Sequence, residues 1–327
     1  MNADTFTNVA LEAGRLAAGI CRRVQQEQVV ETQEKAGREP VTVADYASQA
    51  VILRALSLHC GDHAILAEEN SENLRAGDDA HVADRVRDLV ADALGEPVTM
   101  EQLCAWIDHQ GDPASPYMWA IDPIDGTKGF LRKAQYAVAI GLLRERVPVA
   151  GALVCPNLAV DPNDEGGARG VVFHAYEQAG AFQFPLDGGD TAPIRANATT
   201  DAADVRVLGS VESSHGDPKL LTALVEELGF GGGIVRVDSQ VKYGVLARGD
   251  AEVYLRPRSK PDWRDNAWDH VAGVAVAKEA GGRSTDVVGR PLDFSFGAKM
   301  EENVGVLTTH GPLHDEIVAC LKRLVEG

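Results

Sequence analysis

Four acidic clusters stand beside short apolar segments, and this arrangement constrains the fold more than any other feature of the sequence. They lie in PVTVAD (residues 40–45), ILAEE (65–69), WAIDPIDGTKGF (119–130) and WDHVAGVAVAKEAGG (268–282). One acid in such a place is commonly a helix N-cap or part of a solvated loop. Four clusters, each bordering an apolar run, are hard to explain by coincidence. We therefore predict that they belong to one carboxylate-rich site.

The segment at 119–130 is the most informative of the four. An apolar strand is predicted to end at Asp122, Pro123 and Ile124 turn the chain, Asp125 follows, and a helix is predicted to open at Gly126 and Thr127. Carboxylate oxygens bind hard cations, and the free N–H groups of a helix start bind anions. A phosphate held on Mg²⁺ satisfies both. Taken alone, D-P-x-D-G is also a common turn sequence.

Hydrophobic periodicity divides the chain into two halves. In the first half, helices are predicted at 6–24, 45–59, 78–92 and 99–109, and strands at 117–121, 136–143, 149–154, 171–175 and 181–184. The second half alternates strands at 205–208 and 251–255 with helices at 218–228, 268–280 and 313–324. Between them, PLDGGDTAP (185–193) is a candidate linker. We predict an α+β domain with an antiparallel sheet and the metal site at 1–188, and an α/β domain that completes the active site and substrate pocket at 189–327.

Composition and charge exclude several classes of protein. The net charge of −18 argues against nucleic-acid polymers and anionic membranes as partners. It leaves open a small anionic substrate, because bound cations make a carboxylate site locally positive. Asp4 and Glu12 stand where a signal peptide would be basic and then apolar, so we expect a cytoplasmic protein. The five cysteines are scattered without a C-x-x-C pair, which disfavours zinc and dithiol chemistry.

Together, VTVAD, AEEN, WAIDPIDGTKGF and WDHVAGVAVAKEAGG resemble the inositol-monophosphatase-like superfamily of magnesium-dependent, lithium-sensitive phosphatases. The resemblance extends from about Val41 to Gly282. It implies an α/β (α+β) fold, a layered α-β-α-β-α sandwich of the inositol-monophosphatase and fructose-1,6-bisphosphatase type. DGTKGFLRKAQYAVAIGLL (125–143), SVESSH (210–215) and DSQVKYGVLARGDAEVYLR (238–256) are most similar to the 3′(2′),5′-bisphosphate nucleotidases within it.

The resemblance implies a set of metal ligands and catalytic residues. Glu68, Asp122 and the backbone carbonyl of Ile124 would hold one Mg²⁺. Asp122, Asp125 and Asp269 would hold a second, and a third ion would lie near Glu68 or Glu69. Thr127, hydrogen-bonded toward Asp45, would orient the attacking water. The N–H groups of Gly126 and Thr127 would hold the phosphate oxygens.

The resemblance also implies a substrate and its contacts. The substrate would be adenosine 3′,5′-bisphosphate, which loses its 3′-phosphate to give AMP. His215, Ser239 and Lys242 would contact it, with Arg248 and Arg256 as further anion partners and Trp263 packing on the base. The enzyme would act on this small phosphate ester as a monomer, beside sulfate activation. Segment 258–267 departs from the family pattern, and the acidic segment 70–99 has no clear counterpart in it.

Two other readings remain open from the sequence. An inositol phosphate or sugar-phosphate monophosphatase would use the same metal core. A non-catalytic nucleotide-binding regulator would need the fold but no water-activating Thr127 and Asp45. Protein phosphatase activity is disfavoured, because the sequence gives no sign of an extended peptide groove.

Overall fold

The computed structural model describes residues 1–31, 39–76, 80–164, 166–212, 218–258, 260 and 262–326. Its helices are α1 (Ala3–Glu31), α2 (Glu39–His59), α3 (Glu72–Ala76), α4 (Ala80–Leu94), α5 (Met100–Ile107), α6 (Thr127–Leu131), α7 (Pro218–Leu228), α8 (Val241–Ala247), α9 (Val271–Glu279) and α10 (His314–Glu326). Its strands are β1 (Ala64–Ala67), β2 (Tyr117–Asp125), β3 (Ala137–Arg144), β4 (Val147–Ala159), β5 (Arg169–Tyr176), β6 (Gly180–Pro185), β7 (Ala192–Ile194), β8 (Val207–Gly209), β9 (Ile234–Arg236), β10 (Val253–Arg256), β11 (Arg283–Thr285) and β12 (Val306–Thr309).

The first sheet takes its strands in chain order, from β1 to β7. Only the β1–β2 pair is parallel, and each later pair is antiparallel, as the short connections predict. Side chains alternate between its two faces. Val138, Ile140 and Leu142 of β3 pack in one hydrophobic cluster, and Ala137 and Ala139 pack in another. Both faces are therefore covered.

The second sheet has the strand order β11-β12-β10-β8-β9. Strands β8, β9 and β10 are parallel, whereas β12 runs antiparallel to both β10 and β11. Parallel neighbours require crossover connections, which α7 and α8 supply between these strands. The second half of the chain is therefore of the α/β type that its sequence predicts.

Three helical layers enclose the two sheets. Helices α1 and α2 pack on one face of the first sheet. Helices α8 and α9 lie between the sheets. Helices α7 and α10 pack together over the outer face of the second sheet. The predicted α-β-α-β-α order is confirmed.

Two glycines allow the middle layer to approach the first sheet closely. A Cβ atom on Gly141 of β3 would lie 2.6 Å from Val271 Cγ1, and one on Gly151 of β4 would lie 2.2 Å from the Ala272 carbonyl oxygen. Any side chain at either position would push the start of α9 outward. The turn that carries Asp269 comes directly before this contact, so the glycines fix its position.

The structure corrects several predicted element bounds. Helix α2 begins at Glu39, so Asp45 lies inside the helix and not at its start. Strand β2 continues through Asp125, and α9 begins at Val271, two residues after Asp269. The predicted linker at 185–193 connects β6 to β7 inside the first sheet. The chain passes to the second sheet after Ile194, and the division into domains at 188/189 remains a prediction. Among the described residues, no helix is both long and apolar enough to cross a membrane.

Candidate active site

The predicted site residues converge on one cavity of about 530 Å³. It lies where α2, β1, β2 and α6 meet α8, β10 and the turn before α9. Ten of the predicted residues line it: Asp45, Glu68, Asp122, Ile124, Asp125, Gly126, Thr127, Ser239, Lys242 and Asp269. His215, which was also predicted to contact the substrate, lies outside the described residues. The cavity draws on both halves of the chain, so neither half forms the site alone.

A β-bulge brings two of the aspartates to the same side of β2. Asp122 pairs with Ala139 and Asp125 with Ala137, so Pro123 and Ile124 face only one residue of β3. In a regular strand, residues three apart point to opposite faces, and the extra residue of a bulge reverses this. Proline suits the bulge because it has no N–H to lose from the ladder. The D-P-I-D spacing therefore places both carboxylates in the cavity.

A glutamine on α2 holds the end of β1 in position. Gln49 Oε1 accepts a hydrogen bond from the Glu69 N–H at 2.9 Å, and its Nε2 donates to the Glu69 carbonyl at 2.7 Å. The Glu68 N–H donates to the Ile121 carbonyl of β2 at 3.2 Å. Asp45 lies one helical turn before Gln49. These bonds keep Asp45, Glu68 and Asp122 beside the same cavity, and the sequence analysis did not single out Gln49.

We call Asp45, Glu68, Glu69, Asp122 and Asp125 the carboxylate wall. Burial, followed by repulsion between neighbouring acids, raises the pKa of Glu68 to about 7 and the pKa of Asp122 well above its usual value. Burial and the charges of Glu69 and Glu68 also raise the pKa of Asp45. The pKa of Asp125 rises to about 6, because burial and Asp269 outweigh Lys242 and Arg256. This wall gathers negative charge that a bound cation would stabilise.

We call Lys242, Arg256, Asp265 and Asp269 the paired wall. The partly buried Arg256 guanidinium donates from Nε to Asp265 at 2.9 Å and from Nη2 to Asp269 at 3.2 Å. Burial opposes the charged form of Asp265, but Arg256 holds the pKa of Asp265 below its usual value. Burial lowers the pKa of Lys242 to about 8 against the attraction of Asp125. Here each acid faces a cation.

Gln240 joins the two walls. Its N–H donates to Asp125 Oδ2 at 2.5 Å. Its side chain donates to the Trp268 carbonyl at 3.0 Å and accepts from the Gly273 N–H at 3.2 Å. One residue thus ties Asp125 to the turn that carries Asp269. The only sequence feature that pointed to Gln240 was its position between Ser239 and Lys242, two residues already predicted to bind substrate.

Three further expectations have different outcomes. Arg248 is not a cavity residue, because it pairs with Asp250 and donates to the Ala159 carbonyl. Trp263 lines the cavity with 45% of its surface exposed. Thr127 and Asp45 both line the cavity, but within the described part of the chain no hydrogen bond joins them. Their predicted catalytic partnership stays a prediction.

The donor set fits a hard divalent cation. The cavity-lining ligands are carboxylates, and no histidine or cysteine among the described residues lines it. Hard cations such as Mg²⁺ prefer such all-oxygen sites. Asp269 is held by Arg256 and Asp125 by Gln240. Among the described residues, no three acidic, histidine or cysteine side chains gather into a compact ligand group. The chemistry of the donors therefore supports a metal, while neighbouring hydrogen bonds set where each carboxylate points.

Comparison with known proteins places the chain in a family of phosphatases. The sequence profile of the inositol monophosphatase family matches residues 2–326, and the chain belongs to this family. It is 34% identical over 345 residues to a 3′(2′),5′-bisphosphate nucleotidase of Emericella nidulans, covering 97% of both chains. It is 35% identical over 336 residues to a protein of the same name from Oryza sativa, covering 97% of this chain and 93% of that one.

Solved structures agree with the fold. An inositol monophosphatase from Anabaena superposes with a TM-score of 0.64 at 24% identity, covering 99% of this chain and 97% of that chain. A member of the inositol monophosphatase family from Bacteroides thetaiotaomicron superposes with a TM-score of 0.61 at 19% identity, covering 94% and 97%. At these identities the similarity establishes the fold alone.

Proposed function

We propose that this protein is a Mg²⁺-dependent phosphomonoesterase that converts adenosine 3′,5′-bisphosphate to AMP and inorganic phosphate. The observation that carries the proposal is that two unlike sets of side chains line one cavity. A set of neighbouring acids with raised pKa values lines it together with Lys242 and Arg256. A cation-binding surface opposite an anion-binding surface is what a phosphate ester on Mg²⁺ requires. The names of the full-length relatives support the nucleotide substrate.

In this proposal the carboxylates hold the metal. Glu68, Asp122, Asp125, Asp269 and the Ile124 carbonyl would bind two Mg²⁺ ions, and a third would lie near Glu68 or Glu69. Bound Mg²⁺ would neutralise charge on the phosphoryl oxygens and lower the pKa of water. The buried residues of this set are costly to keep charged without such a partner. That cost favours a role for the wall in binding cations.

The remaining cavity residues would handle the proton and the phosphate. Water attacks phosphorus in line with the bond to the 3′-oxygen, that bond breaks, and the 3′-oxygen leaves as a hydroxyl after taking a proton. Thr127 would orient the water, and Asp45, whose pKa burial raises, would accept its proton. The N–H groups of Gly126 and Thr127 would donate to the phosphate oxygens. No covalent intermediate is needed.

The far side of the cavity would recognise the nucleoside. Ser239 and Lys242 line this side together with Arg256. The half-exposed indole of Trp263 is available to pack against a flat base, and its Nε1 donates to Asp265 at 3.2 Å. Trp263 lies in the segment that departs from the family pattern, so its contact would be particular to this chain.

Phosphate release from three substrates tests the proposal. The full chain with Mg²⁺ is assayed on adenosine 3′,5′-bisphosphate, inositol 1-phosphate and fructose 1,6-bisphosphate at matched concentrations, with an EDTA control. We expect EDTA-sensitive release from the nucleotide at a kcat/KM at least tenfold above the other two. A preference for inositol or sugar phosphate would keep the metal chemistry and overturn the substrate. Release from none of them would favour a binding role without turnover.

A further inference from the structure

A cluster of ion pairs connects the two halves of the molecule at the edge of the cavity. Lys128 lies on α6, and Arg132 is the residue directly after the end of this helix. The two residues are four positions apart, so their side chains point to the same side of the helix. Both contact Glu212, which follows β8 in the second half of the chain. Lys128 Nζ lies 3.0 Å from Glu212 Oε2, and Arg132 Nη1 pairs with Oε1. Arg132 Nη2 also contacts Asp238 at 2.7 Å. We call Lys128, Arg132 and Glu212 the rim cluster.

Stability does not explain the rim cluster. The Lys128 and Arg132 side chains are 55% and 43% exposed, whereas their partners Glu212 and Asp238 are 20% and 7% exposed. Ion pairs whose cations are this exposed contribute little to the free energy of unfolding, because water screens them and ordering long side chains is unfavourable. A cluster of this kind is better explained by what it binds.

The two cations of the rim cluster resemble a phosphate-binding site, and the Glu212 carboxylate occupies the position that a phosphate would take. One carboxylate receives hydrogen bonds on both oxygens, one from an ammonium and one from a guanidinium. These bonds hold the pKa of Glu212 well below its usual value. An arginine fork beside a lysine is also the arrangement that proteins use for phosphate groups. Glu212 therefore occupies cations that a phosphate would bind more strongly.

Two members of the rim cluster line the same cavity as the reaction site, and the third, Arg132, contacts it through Glu212 and Asp238, which both line it. Lys128 and Glu212 line the same space as Asp122, Asp125 and Thr127. Lys128 directly follows Thr127 in the chain, so its ammonium stands next to the place where the reacting phosphate would lie, and Arg132 follows one helical turn later. A substrate with two phosphates on one nucleoside could reach both positions at once.

We propose that Lys128 and Arg132 bind the second, non-reacting phosphate of the substrate, and that Glu212 takes its place on these cations in the free enzyme. The inference rests on the proposed function and assigns its selectivity for bisphosphates. A phosphate monoester carries about 1.5 to 2 negative charges at neutral pH, and a carboxylate carries one. The second phosphate therefore displaces Glu212. A nucleotide that carries only the reacting 3′-phosphate cannot do so, and it leaves the cluster closed.

The test compares two substrates that differ only in the second phosphate. Adenosine 3′,5′-bisphosphate and adenosine 3′-monophosphate are assayed with the wild type and with the Lys128→Gln/Arg132→Gln double variant. We expect kcat/KM for the bisphosphate to fall by ~100-fold, because two charge-assisted contacts are lost. For the monophosphate it should change by less than about threefold. Lys133→Gln, a neighbouring exposed lysine, is the matched control and should affect neither substrate.

Glu212→Gln should strengthen binding of the bisphosphate, the opposite of the effect of the double variant. It therefore distinguishes a role in binding from a structural role. Removing the competing carboxylate should lower KM for the bisphosphate severalfold and strengthen inhibition by AMP, which keeps the 5′-phosphate, but not by adenosine. Equal losses on both substrates in the double variant, or weaker AMP inhibition in Glu212→Gln, overturn this inference and leave the phosphatase proposal standing. If the wild type releases phosphate from neither nucleotide, the proposed function fails and the inference fails with it.

Discussion

The carboxylate wall and the paired wall border the same cavity but differ in how their charges are arranged. Burial raises the pKa values of Glu68, Asp122 and Asp125, and the charges of neighbouring acids raise them further, those of Glu68 and Asp125 at Asp122 and that of Asp269 at Glu68 and Asp125. Across the cavity, Arg256 holds both Asp265 and Asp269. One side is a cluster of like charges, whereas the other is neutralised internally.

The difference separates acids whose charge only a bound cation would offset from acids that already have a cationic partner in the protein. A buried group of like charges costs stability, and it persists where function needs it. A buried charge pair is costly to break but easy to satisfy, so it can serve as a scaffold. The two walls should therefore respond to charge removal with opposite signs in stability.

The largest effect is expected for Asp122→Asn. The change removes one charge from the metal-binding set and keeps the oxygen that accepts the Ile124 N–H at 3.1 Å. We expect phosphate release to fall at least about a thousandfold, because several kcal/mol of charge stabilisation are lost. In EDTA the variant should be more stable than wild type by about 1–2 kcal/mol, since a repulsive neighbour is gone. Phosphate assays and urea unfolding measure the two effects. Substantial residual turnover would overturn the metal assignment.

Arg256→Met should act in the opposite direction on stability. It leaves Asp265 and Asp269 without their guanidinium partner in a buried setting. Breaking such a pair typically costs about 3–5 kcal/mol. Arg283→Met is the matched control, because Arg283 pairs with Asp315 at the surface and its loss should cost under about 1 kcal/mol. Urea unfolding in EDTA compares the two. An equal, small loss in both variants would mean that the paired wall does not support the fold.

The residues of the carboxylate wall could be predicted from sequence more fully than those of the paired wall. The carboxylate wall was found from sequence, because its acids lie in short contiguous motifs whose spacing carries meaning, as in D-P-I-D. Arg256 was named as an anion partner, but its pairing with Asp265 and Asp269 joins residues 9 and 13 positions apart through folding. Asp265 has no local signal at all. Gln49 and Gln240 were missed for the same reason, since their partners are set by tertiary packing.

The elements follow the same division. Long periodic helices such as α1 and α4 were predicted with errors only at their ends. Helix α8 was missed, because all seven of its residues are buried between the two sheets. A helix buried on every side has no polar face and therefore no amphipathic period. Strands β9 and β11 have three residues each and are too short to carry an alternation.

Mg²⁺ should stabilise the wild type in a pH-dependent way. Burial and neighbouring acids raise the pKa of Glu68 from 4.5 to about 7 and that of Asp125 from 3.8 to about 6. Between about pH 4 and pH 7 the folded state therefore binds more protons here than the unfolded chain does. The contribution of these groups to stability in EDTA is lost as pH rises through this window.

Cation binding should offset that loss. At 100 times its dissociation constant, Mg²⁺ adds about 2.7 kcal/mol to the free energy of unfolding. We expect the Mg²⁺-induced rise in melting temperature to grow from pH 5 to pH 7.5 and to shrink in Asp122→Asn. A Mg²⁺ effect that is independent of pH, or unchanged in the variant, would mean that the cation binds elsewhere.

The smallest expected effect is on the free energy of unfolding when either of two buried tyrosine hydroxyls, one behind each wall, is removed. The Tyr243 hydroxyl lies 2.8 Å from His270 Nδ1, next to Asp269, whereas the Tyr136 hydroxyl has no hydrogen-bond partner among the described residues. Tyr243→Phe should therefore cost about 1 kcal/mol of unfolding free energy, because it leaves a buried ring nitrogen unpaired. Tyr136→Phe should be neutral or slightly stabilising, since it removes an unsatisfied polar atom. Urea unfolding of both variants gives the two values, and phosphate release should change by less than about threefold in either. If both substitutions cost the same, hydrogen bonding behind the paired wall contributes nothing specific, and its stability comes from Arg256 alone.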